Sequence, residues 1–442
     1  MKSRQYIAAM FLLSNSFAAL ASGGSPAEEP APAPSNGTVQ YSGLDWQRTA
    51  LDLERDLDKA APLRQATFVG THNSYNSSAY ADITRYIDPN QNQSIRAQLD
   101  MGARFLEFDV HMTNKFDTHG SPWAWEWTSN DQLLLCHGQS NHLGCSSADR
   151  YFRDGLNELR DFIAANRDEV VLLYIEDHMD GEYAWASDIL DNSIGQYLYR
   201  PSQHGSGCQG LPNQLTKQDI LNSGRNVVVI TGGGCSGNAQ YDARVWGQNF
   251  NTRNTANAAN CDGLSRSGHD SALVRYYEDR TNLSAAFGNP GEPITTGNIE
   301  QLLACGANVI GFDKLDEDDG RLERAIWSWG YNEPNNYNGA EDCAESRNDG
   351  RFNDIGCSAV RRFACRQAGT HNWYVTNGSG SWSQGASTCA NETAGQYQFA
   401  VPGNAFENNQ LNAAKSAAGA SSVWLNYSDQ NSEGQWSGFT AP

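Results

Sequence analysis

Short apolar runs recur along the first part of the chain, with longer stretches at helical spacing between them. Such runs at Ala66–Asn73, Ala103–His111, Gln132–His137, Val170–Glu176, Asn226–Thr231 and Asn308–Phe312 read as buried strands. Arg150–Asn166 sets Phe152, Leu156, Leu159 and Ile163 at helical spacing, the pattern of a crossover helix. The pattern assigns no element between Trp246 and Glu300. Buried strands joined by helices predict an α/β fold, a parallel sheet closed as a (β/α) TIM-type barrel over residues 41–326.

The polar residues fall where such a barrel keeps its chemistry, at the C-terminal strand ends. His72-Asn73, Glu107 with Asp109, His137 and Glu176 each close a run. Glu107 and Asp109 are two apart and share one face of their strand. An amide oxygen and three carboxylates, from Asn73, Glu107, Asp109 and Glu176, suit a hard cation, Ca²⁺ before Mg²⁺. The imidazoles of His72 and His137 are candidates for general base and general acid. Oxygen-only ligation beside two imidazoles points to phosphodiester chemistry.

These segments resemble the catalytic X domain of phosphatidylinositol-specific phospholipases C. The stretch Gly70-Thr71-His72-Asn73-Ser74 resembles its first His-Asn motif, and Gly102 to Asp109 its paired-carboxylate strand. Leu135-Cys136-His137-Gly138 resembles the second His motif, and Tyr174 to His178 the fourth. Acidic residues stand where metal-independent members use an arginine, so the resemblance is to the calcium-dependent type. It implies that His72 stabilises the phosphoryl group in flight and that His137 protonates the leaving diacylglycerol oxygen. Glu107 or Glu176 is then the candidate base for the inositol 2-hydroxyl, although metal-independent relatives use the first His itself. The strand Asn226–Thr231 lacks the lysines that eukaryotic members present to ring phosphates, and Lys314 is the one late-strand cation assigned to substrate. That favours plain phosphatidylinositol, a glycosyl-inositol anchor or another phosphodiester.

A formal charge of −20 argues against nucleic acid, which needs a basic face. It argues equally against loose adhesion to anionic lipid. Met1–Ala21, with Lys2 and Arg4, an apolar core and Ala19-Leu20-Ala21, reads as a secretory signal, which predicts a secreted or periplasmic protein. Residues 22–40 read as a Pro- and Ala-rich linker. Ten cysteines in an exported chain predict disulfides. Trp123, Trp125 and Trp127 alternate before the third run, as either a transient lipid-facing edge or a hairpin packing face. His111, His119, His142 and His178 read as partly exposed or supporting residues, and Gly232-Gly233-Gly234 as a turn.

After Ile326 the composition shifts to Asn, Gly, Ser and Trp, and residues 327–442 form a second module. Glu333, Asn335, Glu341, Asn353 and Asp354 offer oxygens for another Ca²⁺. Glu333-Pro334-Asn335 resembles the calcium and sugar site of C-type lectin domains. Trp382 to Ala386 and Val423 to Asn426 resemble that family's first half but follow its second, which implies a circularly permuted small α+β domain. The resemblance implies bridges Cys343–Cys357 and Cys365–Cys389, with glycans as possible ligands. The chain is therefore expected to be a secreted calcium-dependent phosphodiesterase acting on an inositol lipid. The alternatives are a glycan-binding adhesin with a silent barrel and a barrel of the sphingomyelinase D or glycerophosphodiesterase kind.

Overall fold

The computed structural model describes residues 43–438 apart from 83–84, 87, 120–125, 206, 233, 248–249, 254–272, 278–292 and 318–319. The expected signal at Met1–Ala21, the linker at 22–40, and Trp123, Trp125 and Gly233 lie outside the described residues, as do the side chains of His119 and Trp127.

Ten strands make the first sheet. They are β1 (Phe68–Thr71), β2 (Phe105–His119), β3 (Glu126–Leu135), β4 (Arg150–Tyr151), β5 (Val171–His178), β6 (Val227–Thr231), β7 (Trp246–Gly247), β8 (Phe250–Arg253), β9 (Leu273–Tyr277) and β10 (Val309–Phe312). Their order is β7-β6-β5-β2-β1-β10-β9-β8, so the two ends of the chain order meet at β1, between β2 and β10. Every pairing along that path is parallel. No pairing joins β7 to β8 among the described residues. Parallel strands are covered on both faces, and every residue of β1, β6 and β10 is buried.

The third run departs from the parallel set. It belongs to β3, which runs antiparallel along β2 with Leu135 opposite Val110. The cause is that β2 continues past its polar cluster to His119, and the chain returns directly as a hairpin instead of crossing over. Helix Phe152–Ala165 does cross to β5 and buries Phe152, Leu156, Leu159 and Ile163 as its spacing predicts. Its Gly155 lets the helix sit close, since a Cβ there would come within 2.9 Å of the Phe108 ring.

The second sheet comprises β11 (Cys343–Ser346), β12 (Phe352–Ile355), β13 (Arg362–Gln367), β14 (Trp373–Val375), β15 (Tyr397–Phe399), β16 (Val423–Ser428) and β17 (Ser437–Gly438). The late strand β16 lies in its middle, antiparallel to β11 and parallel to β13. The whole is thus a mixed α/β fold. Bridges Cys343–Cys357 and Cys365–Cys389 are formed as expected, and Cys136–Cys145 and Cys208–Cys235 pin loops of the first sheet.

The two sheets share a core that the sequence pattern did not announce. Helix Gly43–Asp58 contributes Trp46, Leu53 and Leu57 to one apolar cluster with Ile310 and Phe312 of β10 and with Trp329, Phe352 and Leu425 from the last third of the chain. Polar bonds fix the join. Glu54 Oε1 accepts from the backbone N–H of Trp327 (2.6 Å) and Ser328 (2.9 Å) and from the Ser328 hydroxyl (3.0 Å). Burial pushes this carboxyl up to about 8. Trp46 Nε1 donates to Glu333 O at 3.1 Å. No helix among the described residues is long and apolar enough to cross a membrane.

Candidate active site

β1 ends at Thr71, and the chain turns through His72 and Asn73, the latter at φ 46°. Both neighbouring strands clamp this turn. His72 N donates to Phe312 O of β10 (3.1 Å), and Ser74 N to Glu107 O of β2 (3.0 Å). Asn73 N donates to the Glu107 carboxylate, Oε2, at 3.2 Å. The parallel register of β2 and β5 then sets Asp109 beside Glu176.

Carboxylate oxygens of Glu107, Asp109 and Glu176 lie within 4.8 Å of one another. Glu107 and Asp109 are buried, whereas the Glu176 side chain is about half exposed. Tyr75 OH donates to Asp109 Oδ2 at 2.9 Å, and burial, with Asp109 beside it, raises the phenol well above its usual range. The Asn73 amide joins this group. Its oxygen faces Asp109, and its Nδ2 lies 3.2 Å from His72 Nε2. Turned over, the amide would donate to Asp109 Oδ2 and Oδ1 at 2.9 and 3.1 Å and accept from His72 Nε2 at 3.2 Å. The two orientations separate on charge. An N–H toward Asp109 suits the carboxylates alone, whereas an oxygen toward them suits a cation held among them. This all-oxygen donor set fits Ca²⁺ and offers no soft ligand.

The imidazoles are linked across the site. His72 Nδ1 is 2.8 Å from Asp313 Oδ1. That bond holds the proton on Nδ1 and orients the ring. His72 Nε2 is 3.9 Å from Glu107 Oε2. Asn90 Nδ2 donates to the same Asp313 oxygen at 3.4 Å, and Asn76 Nδ2 donates to Asn90 Oδ1 at 2.5 Å. Asn76 Nδ2 also lies 3.0 Å from His137 Nδ1. A chain of polar side chains therefore runs from His72 to His137. The antiparallel return of β3 is what delivers His137, because Cys136 N donates to Asp109 O at 3.2 Å.

Asp313, Asn90 and Tyr75 escaped the sequence reading. Asp313 alone left a signal, an acid directly after the buried strand β10. Next to it, Lys314 is exposed and sits at φ 51°, its backbone N donating to Asn90 O at 2.6 Å. Beside Glu176 opens a cavity of about 330 Å³ lined by Tyr174, Asp177, Tyr183, Thr231, Ser236 and Tyr241, among other residues. No lysine or arginine lines it among the described residues. At its edge Gly232 lies where a Cβ would come within 2.7 Å of the Tyr174 hydroxyl. His111 is buried, and burial together with the neighbouring His178 and His142 pushes it down to about 3.

The C-terminal oxygens gather in part. Asp354 accepts from the backbone N–H of Asn335 (3.0 Å) and Asn336 (2.5 Å). Glu333 reaches Asp354, and burial followed by that contact pushes its carboxyl up to about 8. Glu333 Oε2 and Asn335 Oδ1 are buried without a hydrogen-bond partner among the described residues, as oxygens awaiting a cation would be. Glu341 Oε2 accepts from Tyr337 N at 2.9 Å. Asn353 does not turn toward this group. It alternates with buried Asp354 along β12, and its amide donates to Asp354 O at 2.6 Å.

Comparison with known proteins bears on the same residues. Residues 38–319 match the family model described as the Rv2075c PI-PLC-like domain. The uncharacterized protein Rv2075c of Mycobacterium tuberculosis (strain H37Rv) is 30% identical over 409 residues, which span 86% of this chain and 80% of that protein. Solved structures that match include a phosphatidylinositol-specific phospholipase C from Listeria monocytogenes, at 14% identity and TM-score 0.39, covering 61% of this chain and 94% of that one. Another is a Ca²⁺-dependent enzyme from Streptomyces antibioticus, at 16% identity and TM-score 0.35, covering 58% of this chain and 95% of that one. On the family match and the 30% identical relative, the chain belongs to the Rv2075c PI-PLC-like family and is a phosphatidylinositol phospholipase C-like phosphodiesterase.

Proposed function

We propose that the protein is a secreted, calcium-dependent phosphodiesterase that cleaves phosphatidylinositol or a glycosyl-inositol lipid through an inositol cyclic phosphate. The observation that carries this reading is the meeting of His72, Asn73, Glu107, Asp109 and Glu176 at one strand-end mouth, with three carboxylates within 4.8 Å. Asn73, Glu107, Asp109 and Glu176 would hold the calcium ion, which when bound supplies charge to polarise a phosphoryl oxygen and acidify the ring hydroxyl.

The remaining work falls to the chain's own side chains. His72, oriented by Asp313 through Nδ1, would carry a second proton on Nε2 and donate it as a hydrogen bond to a phosphoryl oxygen. Glu107 and Glu176 are the candidate acceptors for the 2-hydroxyl proton. His137 donates a proton to the departing diacylglycerol oxygen as the ring oxygen bonds to phosphorus. The cavity beside Glu176, lined by tyrosines and hydroxyls, suits a neutral polyol better than a phosphorylated ring. Lys314 is the candidate contact for the lipid phosphate from the rim.

In this reading the parallel sheet closes as a TIM-type barrel over 41–326, and residues 327–442 form a permuted C-type-lectin-like module. The oxygens of Glu333 and Asn335 that have no partner among the described residues support a second calcium there, with Glu341 and Asp354 completing the set, and glycans as its ligands. Four described disulfides favour an oxidising compartment, secreted or periplasmic. The test is incubation with phosphatidylinositol vesicles, with calcium and with a chelator. Cyclic inositol phosphate released only with calcium is the expected result. Equal rates in both would remove calcium from the mechanism, and no release in either would remove the lipid substrate.

A further inference from the structure

One step beyond the carboxylates along the same two strands, the polar groups change from acids to imidazoles. The register that pairs Asp109 with Glu176 pairs His111 of β2 with His178 of β5. Their ring centres are 4.4 Å apart at 34°. A third ring arrives from the loop that the Cys136–Cys145 bridge closes, bringing His142 Nδ1 to 3.0 Å from His111 Nδ1.

The outer two rings are held in the same way. His142 Nε2 is 2.9 Å from Asp180 Oδ2, and His178 Nε2 is 3.0 Å from Glu176 Oε1. A ring nitrogen bonded to a carboxylate carries the proton, which leaves a lone pair on the opposite nitrogen. Nδ1 is therefore the acceptor nitrogen of both His142 and His178. His111 stands between them with no exposure, and its Nε2 has no hydrogen-bond partner among the described residues. One neutral imidazole has a single proton to share among these contacts. Two ring nitrogens 3.0 Å apart, each backed by its own environment, are close to the spacing of neighbouring ligands on one metal ion.

We propose that His111, His142 and His178 form a site for a borderline transition-metal ion, Zn²⁺ or Cu²⁺, distinct from the oxygen cluster below it. Imidazole suits these ions, whereas the carboxylates suit a hard one. Asp180 and Glu176 take the place of the outer carboxylates that commonly orient metal-bound histidines. His111 and His142 are the first ligands, and His178 joins through Nδ1 by a shift that keeps its Nε2 bond to Glu176. The sulfurs of Cys136 and Cys145 lie near His111 but are bonded to each other, so they supply a tether for the loop and no thiolate. Glu176 belongs to both groups, holding His178 on one side and approaching Asp109 on the other.

Cu²⁺ titration of the full chain, with calcium saturating, tests the site. One equivalent with nitrogen hyperfine structure in the electron paramagnetic resonance spectrum is expected. His142→Ala should weaken it by at least about tenfold, as losses at a metal shell commonly do. His178→Ala should weaken it less, and Glu107→Gln should leave it unchanged. Unaltered copper affinity in folded His142→Ala, or a spectrum with oxygen ligands only, overturns the proposal. Should His142→Ala fail to fold, His178→Ala decides alone: unchanged affinity and spectrum refute the site. Zn²⁺ competition for the bound copper gives a readout independent of lipid cleavage.

Discussion

The first sheet buries charge at both ends, and the two ends differ in sign. Where the strands begin, opposite charges meet. Arg104 grips Glu169 with two nitrogens at 2.9 and 2.8 Å, and Lys217 reaches Asp58 at 2.7 Å. Where the strands finish, like charges meet, with three carboxylates within 4.8 Å and a carboxylate behind His72. Opposite charges held in good geometry offset their own desolvation. Like charges repel, and such a gathering persists where a ligand gives it use. On the proposed function the first end is scaffold and the second is chemistry.

Three substitutions would break that division. The largest effect belongs to the finishing end. His72→Ala should lower phosphatidylinositol cleavage by about 10²–10⁴-fold, the usual worth of a positioned acid or base, with the melting temperature nearly unchanged. A stable variant with full turnover would end the division. At the beginning end the outcome should invert. Arg104→Ala leaves the buried Glu169 with Arg55 as its remaining ion partner among the described residues and should cost about 1–3 kcal/mol in urea unfolding, while the folded fraction keeps its turnover.

The smallest effect is a pH dependence at the join between sheets. The Glu54 carboxyl is raised from an ordinary 4.5 to about 8, so its contribution to stability is full below about 4.5 and is lost as pH rises through about 8. Glu54→Gln keeps the acceptor oxygen and removes the titration. Its melting temperature should lie at or below the parent's at pH 5 and above it at pH 9. Parallel curves would show that the carboxyl is already ionised in the fold.

How far the sequence revealed this division depends on distance along the chain. Glu107, Asp109 and Glu176 were legible because strand alternation and a run's end are local properties. His72 was legible for the same reason, but its partner Asp313 is 241 residues away and depends on β10 lying next to β1. His137 was marked at the end of a run read as part of a parallel set, whereas its strand is antiparallel, since a long hairpin and a crossover leave the same apolar run. The bridges Cys343–Cys357 and Cys365–Cys389 followed from a resemblance, whereas the loop bridges near the site had no such guide. The helix Gly43–Asp58 was missed altogether. Its bonds to Trp327 and Ser328 reach 273 residues or more downstream, and its apolar residues share a cluster with residues of the second sheet.

That helix sets an order on synthesis. Trp46, Leu53 and Leu57 leave the ribosome long before Trp329, Phe352 and Leu425, which join them in one apolar cluster. Until the last strands emerge, the nascent chain carries an uncovered greasy stripe near its own beginning. A chaperone hold on the nascent chain would protect it, and a fragment cut near residue 326 would expose it for good.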